Sequence, residues 1–330
     1  MRKPRYLLPL LVALVASWFG FSKQARTILD RLGIGGGDPN QVKQSEALPL
    51  PPIARQGNSL RIASFNIQVF GEHKLDKPDI AAILAEVIRH FDVVAIQEIR
   101  AQSQDLLPRF IAMINAEGAH YDYVIGPRLG RTSSKEQYAF IYNAASLECD
   151  RESVYTVNDP DDLLHREPLV AGFRVRGPPP SEAFTFTLID IHTDPDEVAK
   201  ELSVLDDVMR AVAQDGRGED DVILLGDLNA DDRHFGELGQ TPHLAWAISG
   251  RATNTRGNKL YDNIIFDSRA TTEYLGQGGV VDMMREFNLS MQQALAVSDH
   301  LPIWAEFTLH EGGQPGRVAV RSGAGATSRR

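Results

Sequence analysis

Four apolar residues stand in unbroken succession from Val222 to Leu225, closed in by Asp221 on one side and by Gly226 and Asp227 on the other. A short apolar run without alternation is the pattern of a strand buried on both faces. The segment continues as DVILLGDLNADD, residues 221–232. Side chains of a strand alternate with a period of two, so Asp227 and Asn229 face the same way just past the sheet edge. Gly, Asp and Asn also form ordinary turns, and this stretch alone leaves a plain strand-to-loop turn open.

Other segments show what such a strand packs with. RIASFNIQVF (61–70) and DVVAIQE (92–98) read as strands, and shorter candidates lie at 121–125, 137–142, 169–175, 184–191, 261–266 and 302–309. KPDIAAILAEVIRHF (77–91) has helical spacing of Ile80, Ile83, Leu84, Val87 and Ile88. DLLPRFIAMINAEG (105–118) reads as a helix ending at Gly118, and PDEVAKELSVLDDVMRAVAQ (195–214) as a long helix. Helices interspersed with many apolar strands predict an α/β (α+β) domain of two sheets packed together and covered by helices.

The ends of the chain read differently. Arg2, Lys3 and Arg5 precede a 15-residue apolar run from Leu7 to Phe21. That is the form of an export signal, and it falls short of the roughly 20 residues that span a bilayer comfortably. Val15-Ala16-Ser17 offers a small-residue cleavage site; without cleavage, residues 7–21 become a membrane tether. Either outcome places the domain outside the cytoplasm, secreted, periplasmic or anchored. Residues 1–22 are therefore expected to be a signal peptide or anchor, 23–58 a Gly/Pro-rich spacer, 59–310 the folded domain and 311–330 a disordered tail. Gly33 to Gly37 have no preceding strand and no following Lys-Ser/Thr pair, which excludes a phosphate-binding loop. The net charge of −10 argues against an all-round cationic coat for nucleic acid. It leaves room for a local basic patch or a bound divalent cation. A lone cysteine, Cys149, excludes an intrachain disulfide and a thiolate metal site.

Several strands end in polar residues, as the opening one does. Asn66 lies within SFNIQ, Gln97 and Glu98 close VVAIQE, and His192 follows LIDI. Asp262 opens DNIIF, and Asp299 and His300 stand immediately before LPIW. Each alone has a bland account: a bulge, a sheet-edge carboxylate, a core histidine, a turn. Together they supply oxygen ligands, two imidazoles and carboxylates to orient them, which suits phosphate-ester hydrolysis assisted by a hard cation. Oxygen ligands without cysteine favour Mg²⁺, with Mn²⁺ or Ca²⁺ as substitutes, over zinc. In such chemistry His300, paired with Asp262 or Asp299, takes a proton from water, and His192 protonates the leaving oxygen.

The segments FNIQVFG, QEIR, KEQYAFIY, REPLVAGF, LIDIHTDP, GDLNAD, LYDNIIF and SDHLPI, in this order, resemble the endonuclease/exonuclease/phosphatase superfamily. Within it they are most similar to the deoxyribonuclease I group, over roughly residues 60–309. The resemblance implies a four-layered α/β/β/α sandwich, two mostly antiparallel sheets face to face with helices outside. It implies pairing of Glu136 with His192 and of Asp262 with His300, leaving open which histidine is acid and which base. Glu98, Asn66, Asp227 and Asp299 are the expected metal ligands, and Asn229 is expected to donate to a phosphate oxygen. Arg100 resembles an arginine that reaches into the DNA minor groove, Arg166 one that contacts phosphate, and Thr253 and Thr255 hydroxyls close to the DNA backbone. Ser134 stands where the group has a tyrosine stacked on that groove-reading arginine, and the group's disulfides have no counterpart.

The reading is a monomeric, divalent-cation-dependent endonuclease that cuts DNA with little sequence preference. One alternative is a phosphodiesterase or phosphatase acting on lipid headgroups or small phosphoesters, which should show an exposed apolar hairpin. The other is an inactive binding module, which should have lost one of His192, Asp227, Asn229, Asp262 or His300. All five are present.

Overall fold

A computed structural model describes residues 59–312. The expected signal or anchor, the spacer and the tail beyond Gly312 lie outside the described residues. In chain order the strands are β1 (Leu60–Phe70), β2 (Val93–Ile99), β3 (Tyr121–Ile125), β4 (Gln137–Asn143), β5 (Leu147–Thr156) and β6 (Leu169–Val175). They continue as β7 (Thr185–His192), β8 (Val222–Asp227), β9 (Leu244–Trp246), β10 (Asp262–Asp267), β11 (Tyr274–Val280) and β12 (Ile303–Phe307). One sheet has the order β11-β12-β1-β2-β4-β3 and the other β5-β6-β7-β8-β10-β9. Only β1–β2 and β7–β8 pair in parallel; the other pairings are antiparallel.

Alternation along the strands explains the layers. Inward residues such as Ile62, Ala95, Phe140, Leu188, Ile223, Leu225 and Ile264 form the core between the sheets, where Phe173, Phe184, Phe186 and Phe307 stack. On the outer face of the first sheet, Phe65, Val94 and Ile96 meet the helix Pro78–Arg89 through Ile80, Leu84 and Ile88, and the helix Leu106–Ile114 through Leu107 and Phe110. On the outer face of the second, Ile189, Ile191, Val222 and Leu224 meet Leu205, Val208 and Val212 of the helix Leu205–Ala213. This is the expected α/β/β/α sandwich. The long helix expected over 195–214 is two shorter ones, Val198–Leu202 and Leu205–Ala213. Glu201, inside the first of these, is buried and accepts from the backbone N–H groups of His165 (2.5 Å) and Asp194 (2.8 Å). It thereby ties two loops to that helix.

Two irregularities place the functional side chains. Between Asn66 and Phe70 the β1–β2 register shifts, with Asn66 opposite Gln97 and Phe70 opposite Ile99. Val69 (φ 51°) and Glu98 (φ 62°) adopt left-handed conformations there, which non-glycine residues seldom do. At the centre of the second sheet, Gly226 (φ 148°) lies opposite Ile191. A Cβ on residue 226 would sit 1.8 Å from the Ile191 carbonyl oxygen. Gly226 is thus imposed by the close approach of two central strands. Gly226→Ala is expected to destabilise the domain by about 3 kcal/mol or more, measured by urea unfolding. A loss under about 1 kcal/mol would show that the strands separate freely.

Candidate active site

Asp227 ends β8 in register with His192 of β7 on one side and with Asp262 of β10 on the other. Its Oδ2 is the meeting point of the site. The Asn66 Nδ2 donates to it at 3.0 Å, and the Nε2 atoms of His192 and His300 lie 3.5 and 3.4 Å away. The other ring nitrogen of each histidine meets its own carboxylate. His192 Nδ1 is 2.8 Å from Glu136 Oε1, and His300 Nδ1 is 2.9 Å from Asp262 Oδ2. Two imidazoles, each anchored from behind, therefore aim their free nitrogens at one spot. Both pairings expected from the resemblance are present, and Asp299 does not replace Asp262.

Each pair has its own support. Arg166 Nε lies 3.1 Å from Glu136 Oε1 and donates to the His192 carbonyl at 3.0 Å. The Tyr138 hydroxyl accepts from the His192 N–H at 3.0 Å. Tyr138 was not singled out in the sequence, although it stands two residues after Glu136 in KEQYAFIY. On the other side, the Thr253 hydroxyl donates to Asp262 Oδ2 at 2.6 Å and accepts from the Tyr261 N–H at 2.9 Å. The Thr255 hydroxyl donates to the Ser298 carbonyl at 2.7 Å. Both threonines are buried. Their hydroxyls, expected close to a DNA backbone, hold Asp262 and the His300 loop in place. Ser298 Oγ donates to the Asn66 carbonyl (2.7 Å) and accepts from the His300 N–H (3.1 Å), joining that loop to the β1 bulge.

Glu98, Arg100, Arg166 and Asn229 line a cleft of about 320 Å³. Glu98 Oε2 accepts from the Val69 N–H at 2.8 Å and lies 3.1 Å from Arg100 Nη2. Arg100 Nη1 donates to the Ser134 hydroxyl at 2.6 Å, so the serine holds the guanidinium where the family pattern would stack a tyrosine. Asn229 (φ 48°) points one amide hydrogen at the Thr193 carbonyl, 2.9 Å away. Arg166 reaches the cleft from below, its Nη2 buried and without a hydrogen-bond partner. The cleft also holds a pair that the sequence reading missed, His165 Nδ1 at 3.2 Å from Asp194 Oδ2. No local pattern marks these two residues; only the fold brings them together.

The donors suit a hard divalent cation. Asn66 Oδ1 and Asp299 Oδ1 are buried without a hydrogen-bond partner, and Glu98 stands beside Asn66. Carboxylate and amide oxygens of this kind are the usual ligands of Mg²⁺, Mn²⁺ or Ca²⁺. Asp227, Asp262 and His300 also cluster within 4.8 Å. Their short contacts are those of an oriented imidazole between two carboxylates, which makes them the weaker cation cage.

The neighbouring carboxylates favour the charged form of both imidazoles. Burial alone would lower the His192 pKa, but Glu136 and then Asp227 outweigh it and hold it above its ordinary value. Burial likewise opposes charge on His300, and Asp262 and Asp227 raise it well above the ordinary value. Burial pushes Glu136 up, yet His192, Arg166 and Arg100 together hold it below the usual carboxylate range.

The sequence signature of the Endonuclease/Exonuclease/phosphatase family matches residues 63–300. Deoxyribonuclease-1-like 2 of Mus musculus is 32% identical over 266 residues, covering 76% of this chain and 93% of its own length. Deoxyribonuclease gamma of Rattus norvegicus is 31% identical over 268 residues, covering 76% and 84%. The crystal structure of D. rerio TDP2 complexed with single strand DNA product shares the fold, with a TM-score of 0.52 at 16% identity, covering 76% of this chain and 99% of that one. The chain belongs to the Endonuclease/Exonuclease/phosphatase family.

The His192–Glu136 pair sets a pH dependence. The raised His192 pKa contributes stability in full below about pH 6.5, lost as pH rises through the folded value. The lowered Glu136 pKa contributes stability above about pH 4.5, lost as pH falls through its folded value. In Glu136→Gln, burial and Arg166 oppose charge on His192 with only Asp227 left to favour it. The His192 titration followed by proton NMR is expected to move to lower pH. A titration that does not move would remove Glu136 from the account of this histidine.

Proposed function

We propose that this member of the Endonuclease/Exonuclease/phosphatase family is a divalent-cation-dependent endonuclease that hydrolyses phosphodiester bonds of DNA with little sequence preference. The observation that carries the proposal is the convergence of two carboxylate-anchored histidines on Asp227 Oδ2, at 3.5 and 3.4 Å. Hydrolysis of a phosphodiester needs a proton removed from the attacking water and one delivered to the leaving oxygen. One imidazole, in its neutral form and turned by the carboxylate behind its Nδ1, takes the first through Nε2, and the other, protonated, supplies the second from its Nε2. Asn229 keeps one amide hydrogen for a non-bridging phosphate oxygen, and Arg166 Nη2 is placed to approach the same group from the cleft floor. A cation such as Mg²⁺, held by Glu98, Asn66 and Asp299, would withdraw charge from the phosphoryl oxygens when bound.

DNA is favoured as substrate by the deoxyribonuclease relatives and by Arg100, which stands at the cleft mouth to enter a minor groove and read its width. A lipid headgroup is less well served. Among the described residues, the large hydrophobic side chains that stand exposed are Val69 and Met291, which form no apolar hairpin for a bilayer. No described helix is long and apolar enough to cross a membrane. The basic start and the apolar run at 7–21 support export of the enzyme, cleaved or tethered.

Supercoiled plasmid with Mg²⁺ tests the reading. The wild-type chain is expected to nick it, EDTA to abolish nicking, and His192→Ala to slow it by about 10²–10⁴-fold. Arg100→Ala should weaken DNA binding more than it slows the bound-state reaction. An intact plasmid, with turnover of a lipid or small phosphodiester instead, would keep the chemistry and replace the substrate.

A further inference from the structure

We propose that Asp221, Glu273 and Glu311 form a second divalent-cation site, of calcium type, at the end of the sandwich opposite the catalytic cleft. Asp221 precedes β8 while Asp227 closes it, which separates the two sites by roughly 20 Å of strand. Glu273 precedes β11 and Glu311 follows β12. Three segments remote in sequence, from both sheets, thus bring carboxylate oxygens within 4.8 Å of one another.

The burial of these groups separates them from an ordinary acidic surface. Asp221 and Glu273 are each 1% exposed, and Asp221 Oδ1 and Glu273 Oε2 have no hydrogen-bond partner. The Thr271 hydroxyl, beside Asp221, is also buried and makes no hydrogen bond of proper geometry. Burying an ionised carboxylate without a partner is strongly unfavourable. Here the charges acting most strongly on Asp221 are Glu273, Glu311 and Glu219, all acidic. Burial and these neighbours push the Asp221 carboxyl up to about 9. Among the described residues, the backbone donor that reaches Glu311 is the Thr185 N–H at 3.2 Å.

A cation resolves the repulsion. Oxygens bound to calcium lie about 2.3–2.6 Å from the ion, so any two ligands are at most about 5 Å apart. The observed spacing, within 4.8 Å, is compatible with that span. Calcium tolerates irregular carboxylate and hydroxyl sets, whereas Mg²⁺ requires a near-octahedral arrangement. The Thr271 hydroxyl would complete the protein's share and solvent the open side at Glu311. The rival account is a set of carboxylates that share protons, and it makes the opposite forecast.

The full chain, stripped of metal, would be titrated with Ca²⁺ by calorimetry and melted with EDTA or millimolar Ca²⁺, beside Glu273→Gln and Glu311→Gln. Because the catalytic cleft also takes cations, the difference between proteins is what is read. Wild type should bind one more Ca²⁺ than either variant, and its Tm should rise with Ca²⁺ by about 3 °C beyond theirs. Glu311 lies at the surface, so its variant keeps the comparison valid if Glu273→Gln folds poorly. Plasmid nicking with Mg²⁺ should be unaffected by Glu311→Gln. Equal stoichiometry in all three proteins would overturn the proposal. So would a wild-type Tm that ignores Ca²⁺ and rises as pH falls, the mark of shared protons.

Discussion

The parallel pairing of β7 with β8 is the constraint on which the site depends. Ile191 opposite Gly226 sets His192 opposite Asp227, and the antiparallel pairing of β8 with β10 sets Asp262 opposite the same aspartate. Three functional side chains are thereby fixed by backbone hydrogen bonds in the middle of a sheet. A register slip of one residue would turn each to the other face. Gly226 is where that register is enforced, because no side chain fits against the Ile191 carbonyl.

The other sheet supplies what this pairing lacks. Asn66, Glu98 and Glu136 come from β1, β2 and the loop before β4, while His192 and Asp227 come from the opposed sheet. A buried polar link keeps the two halves aligned: Gln97 Nε2 donates to Asp190 Oδ1 at 2.6 Å and to Ser64 Oγ at 3.0 Å, across the sandwich interior. Burial, with Glu136 near, holds the Asp190 carboxyl well above its ordinary range, while the Gln97 hydrogen bond opposes that shift. A polar group here is costly unless paired, and the link fixes how far one sheet can slide over the other. The site is thus assembled at a seam that a purely apolar core would leave less defined.

Much of this was legible in the sequence because strand period and strand ending are local properties. Val222 to Leu225 announce a buried strand, and the alternation that follows sets Asp227 and Asn229 on one side. The histidine–carboxylate pairs were not legible from spacing: Glu136 and His192 are 56 residues apart, and residue types alone left Asp262 and Asp299 as rivals for His300. Family resemblance narrowed that choice, and register explains it, since Asp262 faces Asp227 across a ladder whereas Asp299 lies in the loop before β12. The support that Thr253 and Thr255 give was hidden for the same reason. A threonine in a loop pattern gives no sign of burial, and theirs followed from the hydrogen bonds that the loop makes to Asp262 and Ser298. His165 and Asp194 left no trace at all, because only the packing of two loops on Glu201 brings them together.

Three of the left-handed non-glycine residues stand at the site. Val69, Glu98 and Asn229 all take left-handed backbone conformations, each of which costs on the order of 1 kcal/mol or more for a residue with a Cβ. Glu98 and Asn229 themselves line the cleft, and the Val69 N–H holds Glu98. The β1 bulge frees the Val69 N–H to hold Glu98 Oε2, and Glu98 in turn steadies Arg100. At Asn229 the turn lets its own N–H cap Asp227 Oδ1 at 3.0 Å while its amide is tied to Thr193. A regular strand ending would satisfy the backbone equally well but would direct these side chains along the sheet. The unfavourable conformations are retained because they turn a row of strand ends into a cleft, with carboxylates, amides and imidazoles facing one volume.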